Sequence, residues 1–236
     1  MGISGVKPVY FFHIPKTGGR FLFLNTANVL KYEFLKEGLS PKQYLKCMGH
    51  ISFKPIDTVD MFSFSNIREP VSRAISHYLH IYQQLPSGDI KKDKSRLFEF
   101  LEKYPDSGII NYQTKYISYD GDDEVIEIFD ANLPKNINEN DYNRAKDRLS
   151  KLDYLFDTRD MNHNVTNILL DKMYDNFNIK NNNPRIQVDH NSIVNKDSSE
   201  LYQSLNAKEI KLIEDMMPYD VELYRTANIF DINKLG

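Results

Sequence analysis

The chain has 236 residues, of which 41% are hydrophobic, and this is enough for one sizeable domain with a buried core and too apolar for a disordered chain. A formal net charge of −3 gives no global basic surface, so neither nucleic acid nor an anionic membrane is an expected partner. One cysteine, Cys47, excludes an intramolecular disulfide framework and a multi-cysteine zinc site, and no stretch approaches the roughly 20 apolar residues of a membrane span.

Val9 to Ile14 is a continuous apolar run of the kind that sits in the middle of a parallel sheet, buried on both faces. The break Pro15-Lys16-Thr17-Gly18-Gly19 follows, and Arg20 to Lys31 then carries apolar residues at helical spacing. A short helix is predicted over Pro41 to Met48, followed by Gly49 to Phe53 as a loop entering a strand. Met61 to Ile67 alternates as a strand does, and Arg68-Glu69-Pro70 opens a second helix with proline in its first turn. The strand, loop, helix unit thus occurs twice, which predicts an α/β fold with a central parallel sheet flanked by helices.

Leu85 to Ser95 is polar and reads as a solvent loop or a lid. Helices are predicted over Arg96 to Tyr104, Ile109 to Ile117 and Tyr142 to Leu152, then a strand at Tyr154-Leu155-Phe156 and a long helix from Met161 to Phe177. Asn178 to Ser199 is dense in Asn, Asp and Ser and reads as an irregular loop. Helices over Ala207 to Met217 and Val221 to Ile229 complete a helix-rich C-terminal half. With no internal repeat and no composition boundary, residues 1–236 read as a single domain. No basic leader followed by an apolar stretch is present, so a cytoplasmic location is expected.

A loop that leaves a buried parallel strand and enters a helix points backbone N–H groups outward, and such loops bind anions. Gly18 and Gly19 let the backbone approach a ligand, Lys16 brings a full charge, and Thr17 and Arg20 add donors. The order differs from a nucleoside triphosphatase loop, which ends in Gly-Lys-Ser/Thr, because here Lys16 precedes the glycines. In the second unit, Arg68 stands at a strand end and Ser76 eight positions later, within the helix. Ser72, Arg73 and Ser76 share a helix face. One guanidinium and one hydroxyl could therefore grip a phosphate dianion, while Arg73 reads as a surface or salt-bridging residue.

HIPKTGGR, followed some 50 residues later by IREPVSRAISHY, resembles the two nucleotide-binding signatures of sulfotransferases that use 3′-phosphoadenosine 5′-phosphosulfate. The similarity is greatest to the carbohydrate type related to heparan sulfate 2-O-sulfotransferases, and it covers residues 9 to 80. It implies a P-loop-like, three-layer sulfotransferase fold. It also implies that Lys16, Thr17, Gly18, Gly19 and Arg20 hold the 5′-phosphosulfate and that Arg68 and Ser76 hold the 3′-phosphate. Shorter echoes continue at Asn111 to Tyr116, Ala145 to Phe156 and Glu222-Leu223-Tyr224. Where Arg20 and Phe21 stand, the family usually has Ser or Thr.

Sulfuryl transfer needs in-line attack, a base for the acceptor proton, and cations on the oxygens that gain charge. The catalytic expectation is Lys16 at the bridging oxygen and leaving phosphate, with His50 as the base at the position of the family's Gly-His. His13 is expected beside the site, and Glu33 and Glu37 are alternative bases. Arg159 and Arg185 read as surface residues, and the acidic runs at 120–124 and 157–160 as solvated loops, so no metal is expected. The acceptor is expected to bear a hydroxyl on a glycan, for which Lys91, Lys92, Lys94 and Arg96 could line a cleft. A P-loop-type kinase and a catalytically inert nucleotide-binding module remain open alternatives.

Overall fold

The computed structural model describes residues 7–36, 38, 40–46, 60–83, 94–103, 109–121, 133, 136–178 and 196–230. The chain runs β1 (Val9–Phe12), α1 (Gly19–Asn25), α2 (Ala27–Lys36), α3 (Pro41–Tyr44), β2 (Leu45–Lys46), β3 (Phe62–Ile67) and α4 (Pro70–Gln83). It continues with α5 (Lys94–Lys103), α6 (Tyr112–Ser118), α7 (Glu139–Ser150), β4 (Tyr154–Asp157), a 3-10 turn (Thr158–Asp160) and α8 (His163–Phe177). The last helices are α9 (Lys196–Gln203), α10 (Ala207–Met216) and α11 (Pro218–Thr226).

Among the described residues the strands form one parallel sheet in the order β2-β1-β3-β4. Register pairs Val9 with Phe62 through Phe12 with Ser65, and Phe64 with Tyr154 through Ile67 with Asp157. All four residues of β1 are buried, as its continuous apolar run predicts. Successive side chains of a strand point to opposite faces. Val9 and Phe11 therefore join Leu22, Leu30, Leu169 and Met173 on one side of the sheet, and Tyr10 and Phe12 join Ile117, Leu149 and Leu223 on the other. Helices thus cover both faces. Phe11 stacks on Phe64 with centroids 5.0 Å apart, and burying a ring of that size contributes on the order of 2–3 kcal/mol. A third apolar cluster joins α4 to α5, α9 and α10 through Val71, Ile75, Leu97, Leu101, Leu201 and Ile213.

Several elements differ from the sequence expectation for local reasons. The helix expected over Arg20 to Lys31 breaks at Thr26, where Asn25 Nδ2 donates to the Phe21 carbonyl at 2.9 Å and the Thr26 hydroxyl donates to the Leu22 carbonyl. Such side-chain bonds compete with helical pairing and bend the chain, so α2 starts anew at Ala27. Leu45 and Lys46, expected in a helix, instead pair with Val9 and Tyr10 as an edge strand. The end of the loop expected over Asn178 to Ser199 is the first turn of α9. The strand entry expected at Gly49 to Phe53 lies outside the described residues. Among those residues, no helix is long and apolar enough to cross a membrane.

Because β1, β3 and β4 are parallel, their C-terminal ends share one edge of the sheet. Lys16, Arg68 and Thr158 lie just beyond those three ends. Ligands of open α/β sheets bind along this edge.

Candidate functional site

The loop after β1 is held closed from three sides. The Thr17 hydroxyl donates to the Ile14 carbonyl at 2.6 Å, so its proton is used within the loop. The Thr17 carbonyl accepts from the Asn66 side-chain amide, and the Thr158 hydroxyl lies against both that carbonyl and the Ile67 carbonyl, 3.0 Å from the latter. Lys16 and Gly18 both adopt left-handed backbone, with φ of 65° and 82°. Glycine adopts this geometry without strain, and a β-carbon at Gly18 would also stand 3.1 Å from the Thr158 methyl. At Gly19 the reason is space, since a β-carbon there would fall 2.1 Å from the His13 ring. His13 itself is half-buried and stacks on Phe11 at 5.5 Å.

Arg68 reaches into the same place from the end of β3. Its Nε donates to Ser72 Oγ at 2.9 Å, Nη1 to the Lys16 carbonyl at 3.3 Å, and Nη2 to Ser198 Oγ at 3.4 Å. All three acceptors are neutral. Among the described residues, no carboxylate lies within ion-pair distance of either Lys16 or Arg68. Glu69, the nearest acid in sequence, caps α4, accepting from the backbone N–H of Val71 at 2.9 Å and of Ser72 at 2.7 Å.

Behind these two cations sits a third. Arg73 is fully buried, which corrects the expectation of a surface or salt-bridging residue. Its Nη2 donates to the Ile109 carbonyl at 2.6 Å, its Nη1 faces His77 Nδ1 at 3.2 Å, and its guanidinium lies 4.6 Å from the centre of the Tyr112 ring. Arg73 Nε has no hydrogen-bond partner among the described residues. Burial first, and then Arg73 and Lys16, hold the His77 imidazole well below its ordinary pKa, so it is neutral and accepts from Arg73 through Nδ1.

The same crowding acts on the two front cations. Burial, followed by Arg68 and Arg73, pushes the Lys16 ammonium down from 10.5 to about 8. Burial and then Arg73 push Arg68 down to about 10, against the opposing pull of Glu69 and Asp157. Glu69, Asp157 and Asp220 offset this crowding only in part, so Lys16 and Arg68 form a site that an anion relieves, because it restores the Coulomb energy that burial and repulsion remove.

Of the residues expected to bind the nucleotide, Lys16, Thr17, Gly18, Gly19 and Arg68 come together at this edge. Arg20 is solvent-exposed. Ser76 is buried on α4, one helical turn beyond Ser72, and it is Ser72 that accepts from Arg68. His50, Glu37, Arg185, Lys91 and Lys92 lie outside the described residues. Glu33 pairs with Lys36 at 3.0 Å, and Lys94 with Glu209 at 2.8 Å.

No family model and no curated protein matches the chain. Among the described residues, no group of three or more His, Cys, Asp or Glu side chains could hold a metal ion.

Four residues of the site were not singled out by sequence: Asn66, Ser72 as a partner of Arg68, Gln113 and Thr158. Thr158 carried a usable signal, since it follows a predicted strand just as Lys16 and Arg68 do. Its neighbour Arg159 has a 66% exposed side chain and is bound by Asp157, with Nε at 2.9 Å and Nη2 at 2.6 Å from Oδ2. The Tyr224 hydroxyl donates to the same Asp157 oxygen, and the Arg159 guanidinium lies 5.4 Å from the Tyr224 ring centre.

Proposed function

We propose that the chain is a sulfotransferase with a P-loop-like fold, moving a sulfuryl group from 3′-phosphoadenosine 5′-phosphosulfate to an acceptor hydroxyl on a carbohydrate. The observation that carries this reading is the junction of Lys16 and Arg68. Two cationic residues from adjacent strand ends are joined where the Arg68 guanidinium donates to the Lys16 main-chain carbonyl at 3.3 Å, with no carboxylate at ion-pair distance among the described residues, on loops whose sequences resemble the two sulfotransferase signatures. The donor is a bisphosphate with a sulfonate end, so it offers two separate anionic groups to two separate cations.

In this reading Lys16 and the loop through Gly19 hold the phosphosulfate, and Arg68, with hydroxyls on α4, holds the 3′-phosphate. The acceptor oxygen forms a bond to sulfur as the bridging S–O bond breaks. The electron pair of that bond goes to the phosphate oxygen of departing adenosine 3′,5′-bisphosphate, and the acceptor proton goes to a base, assigned to His50. Lys16 stabilises the charge that develops on the leaving phosphate. Its pKa near 8 keeps it mostly protonated at neutral pH, and a bound anion draws that value up again.

Calorimetric titration with adenosine 3′,5′-bisphosphate, adenosine 5′-monophosphate and ATP tests the reading, paired with transfer of labelled sulfate to a glycan panel. Tight binding that requires the 3′-phosphate, together with transfer, is the expected result. Equal binding of ATP would favour a kinase. Bisphosphate binding without transfer to any acceptor would favour an inert nucleotide-binding module.

A further inference from the structure

Gln113 lies on α6, far in sequence from both signatures, and its side chain is fully buried. Its Oε1 accepts from the Arg68 backbone N–H at 3.0 Å, and its Nε2 donates to the Arg68 carbonyl at 2.9 Å. One carboxamide thus occupies both polar backbone groups of the residue that leaves β3, as a neighbouring strand would. Among side chains, an amide carries the donor and acceptor together that this pairing needs.

The carboxamide is itself held by a rigid frame. The buried Asp220 carboxylate accepts from the backbone N–H groups of Gln113 at 3.2 Å and Thr114 at 2.8 Å, and from the Thr114 hydroxyl at 2.8 Å. In return, Asn111 Oδ1 accepts from the backbone N–H groups of Tyr219 at 3.0 Å and Asp220 at 3.1 Å. The first turns of α6 and α11 are therefore locked to each other. Asn111 makes this possible by taking left-handed backbone, with φ of 49°.

We propose that Gln113 is a positioning residue that fixes the backbone of Arg68 and so determines how well the site distinguishes a nucleotide bearing a 3′-phosphate from one without it. The proposal rests on the assignment of the 3′-phosphate to Arg68. An arginine side chain has many rotamers, and a fixed root removes the part of that freedom that begins at the backbone. The three donor contacts of Arg68 to Ser72, Lys16 and Ser198 then start from one place. Releasing the root leaves the charge present but loosely aimed.

The test uses Gln113→Met, close in volume and unable to pair, and Gln113→Leu, a second uncharged side chain that cannot pair. Dissociation constants are measured for adenosine 3′,5′-bisphosphate and for adenosine 5′-monophosphate. Both variants are expected to weaken the bisphosphate about tenfold and leave the monophosphate within about twofold. Loss of both nucleotides by one factor, or of neither, overturns the proposal. If Gln113→Met does not fold, the Gln113→Leu comparison decides by the same ratio.

A second readout separates this idea from the nucleotide assignment. The Arg68 Nε–H, followed by NMR, is expected to exchange with solvent about tenfold faster in Gln113→Met than in the wild type. If the wild type binds both nucleotides equally, the 3′-phosphate assignment fails, while faster exchange would still show the clamp. Unchanged exchange removes the clamp whatever the nucleotides do.

Discussion

Arg68 Nη1 donates to the Lys16 carbonyl across 3.3 Å, which ties the cation at the end of β3 to the loop at the end of β1. The guanidinium fork matters here as much as its charge, because its three nitrogens reach three different neighbours. Lysine could supply the charge but not the fork. Arg68→Lys is expected to lower stability by about 1 kcal/mol and to weaken adenosine 3′,5′-bisphosphate at least tenfold. Chemical denaturation and calorimetry read the two effects, and bisphosphate affinity equal to the wild type would remove Arg68 from the phosphate grip.

Lys16 makes the site sensitive to pH in a defined direction. Its ammonium is pushed from 10.5 down to about 8, so the folded chain releases its proton more readily than the unfolded chain does. The resulting destabilisation is fully present below about pH 8 and is relieved as pH rises toward 10.5. Anion binding runs the other way, since it needs the ammonium. Affinity for adenosine 3′,5′-bisphosphate is expected to be flat between about pH 7 and 8, above the second phosphate pKa of about 6, and to fall above pH 8, and Lys16→Met should abolish that fall. A fall of the same size in Lys16→Met would assign the titration to another group.

The two loops at the strand ends were legible because their pattern is local. A buried apolar strand, a cation and a glycine pair follow one another closely around Lys16 and Gly18, and a strand end followed by a proline-opened helix marks Arg68. The reasons for the two glycines were not equally legible. Gly18 takes a left-handed conformation that a turn suggests, whereas Gly19 is required by the His13 ring lying against it. The supports of the site were hidden for a different reason. Gln113 and Thr158 lie 45 and 141 residues from the groups they hold, Arg68 and Thr17, so that neither the strand end before Thr158 nor the short echo around Gln113 says what the side chain will touch. Arg73 misled for the opposite reason. Its place on an amphipathic helix suits a solvated arginine, yet the Ile109 carbonyl, His77 and Tyr112 enclose it.

Asp220 should prove structurally costly to alter. It is fully buried and accepts three hydrogen bonds from Gln113 and Thr114, while burial raises its pKa against the pull of Arg73 and those donors. Asparagine at this position turns an amide N–H toward backbone donors, leaving buried groups unsatisfied. Asp220→Asn is expected to lose about 2–3 kcal/mol in a denaturant titration, and a loss under about 0.5 kcal/mol would show that the α6–α11 joint is less buried in solution than its hydrogen bonds indicate.

The contact between Gly19 and His13 offers a test of the loop's packing that needs no ligand. A methyl at Gly19 would stand 2.1 Å from His13 Cδ2 and 2.4 Å from Nε2, distances that force the ring aside. Gly19→Ala alone is expected to cost about 1–3 kcal/mol, the usual range for overpacking a filled site. In a chain already carrying His13→Ala the three atoms nearest to that methyl are gone, and its cost should fall to about 0.5 kcal/mol or less. The double-mutant cycle therefore predicts a coupling of at least about 1 kcal/mol between two residues six positions apart. Additive effects would mean that the loop relaxes around the methyl, and that Gly19 is there to bring the backbone close to a ligand and not to make room for His13.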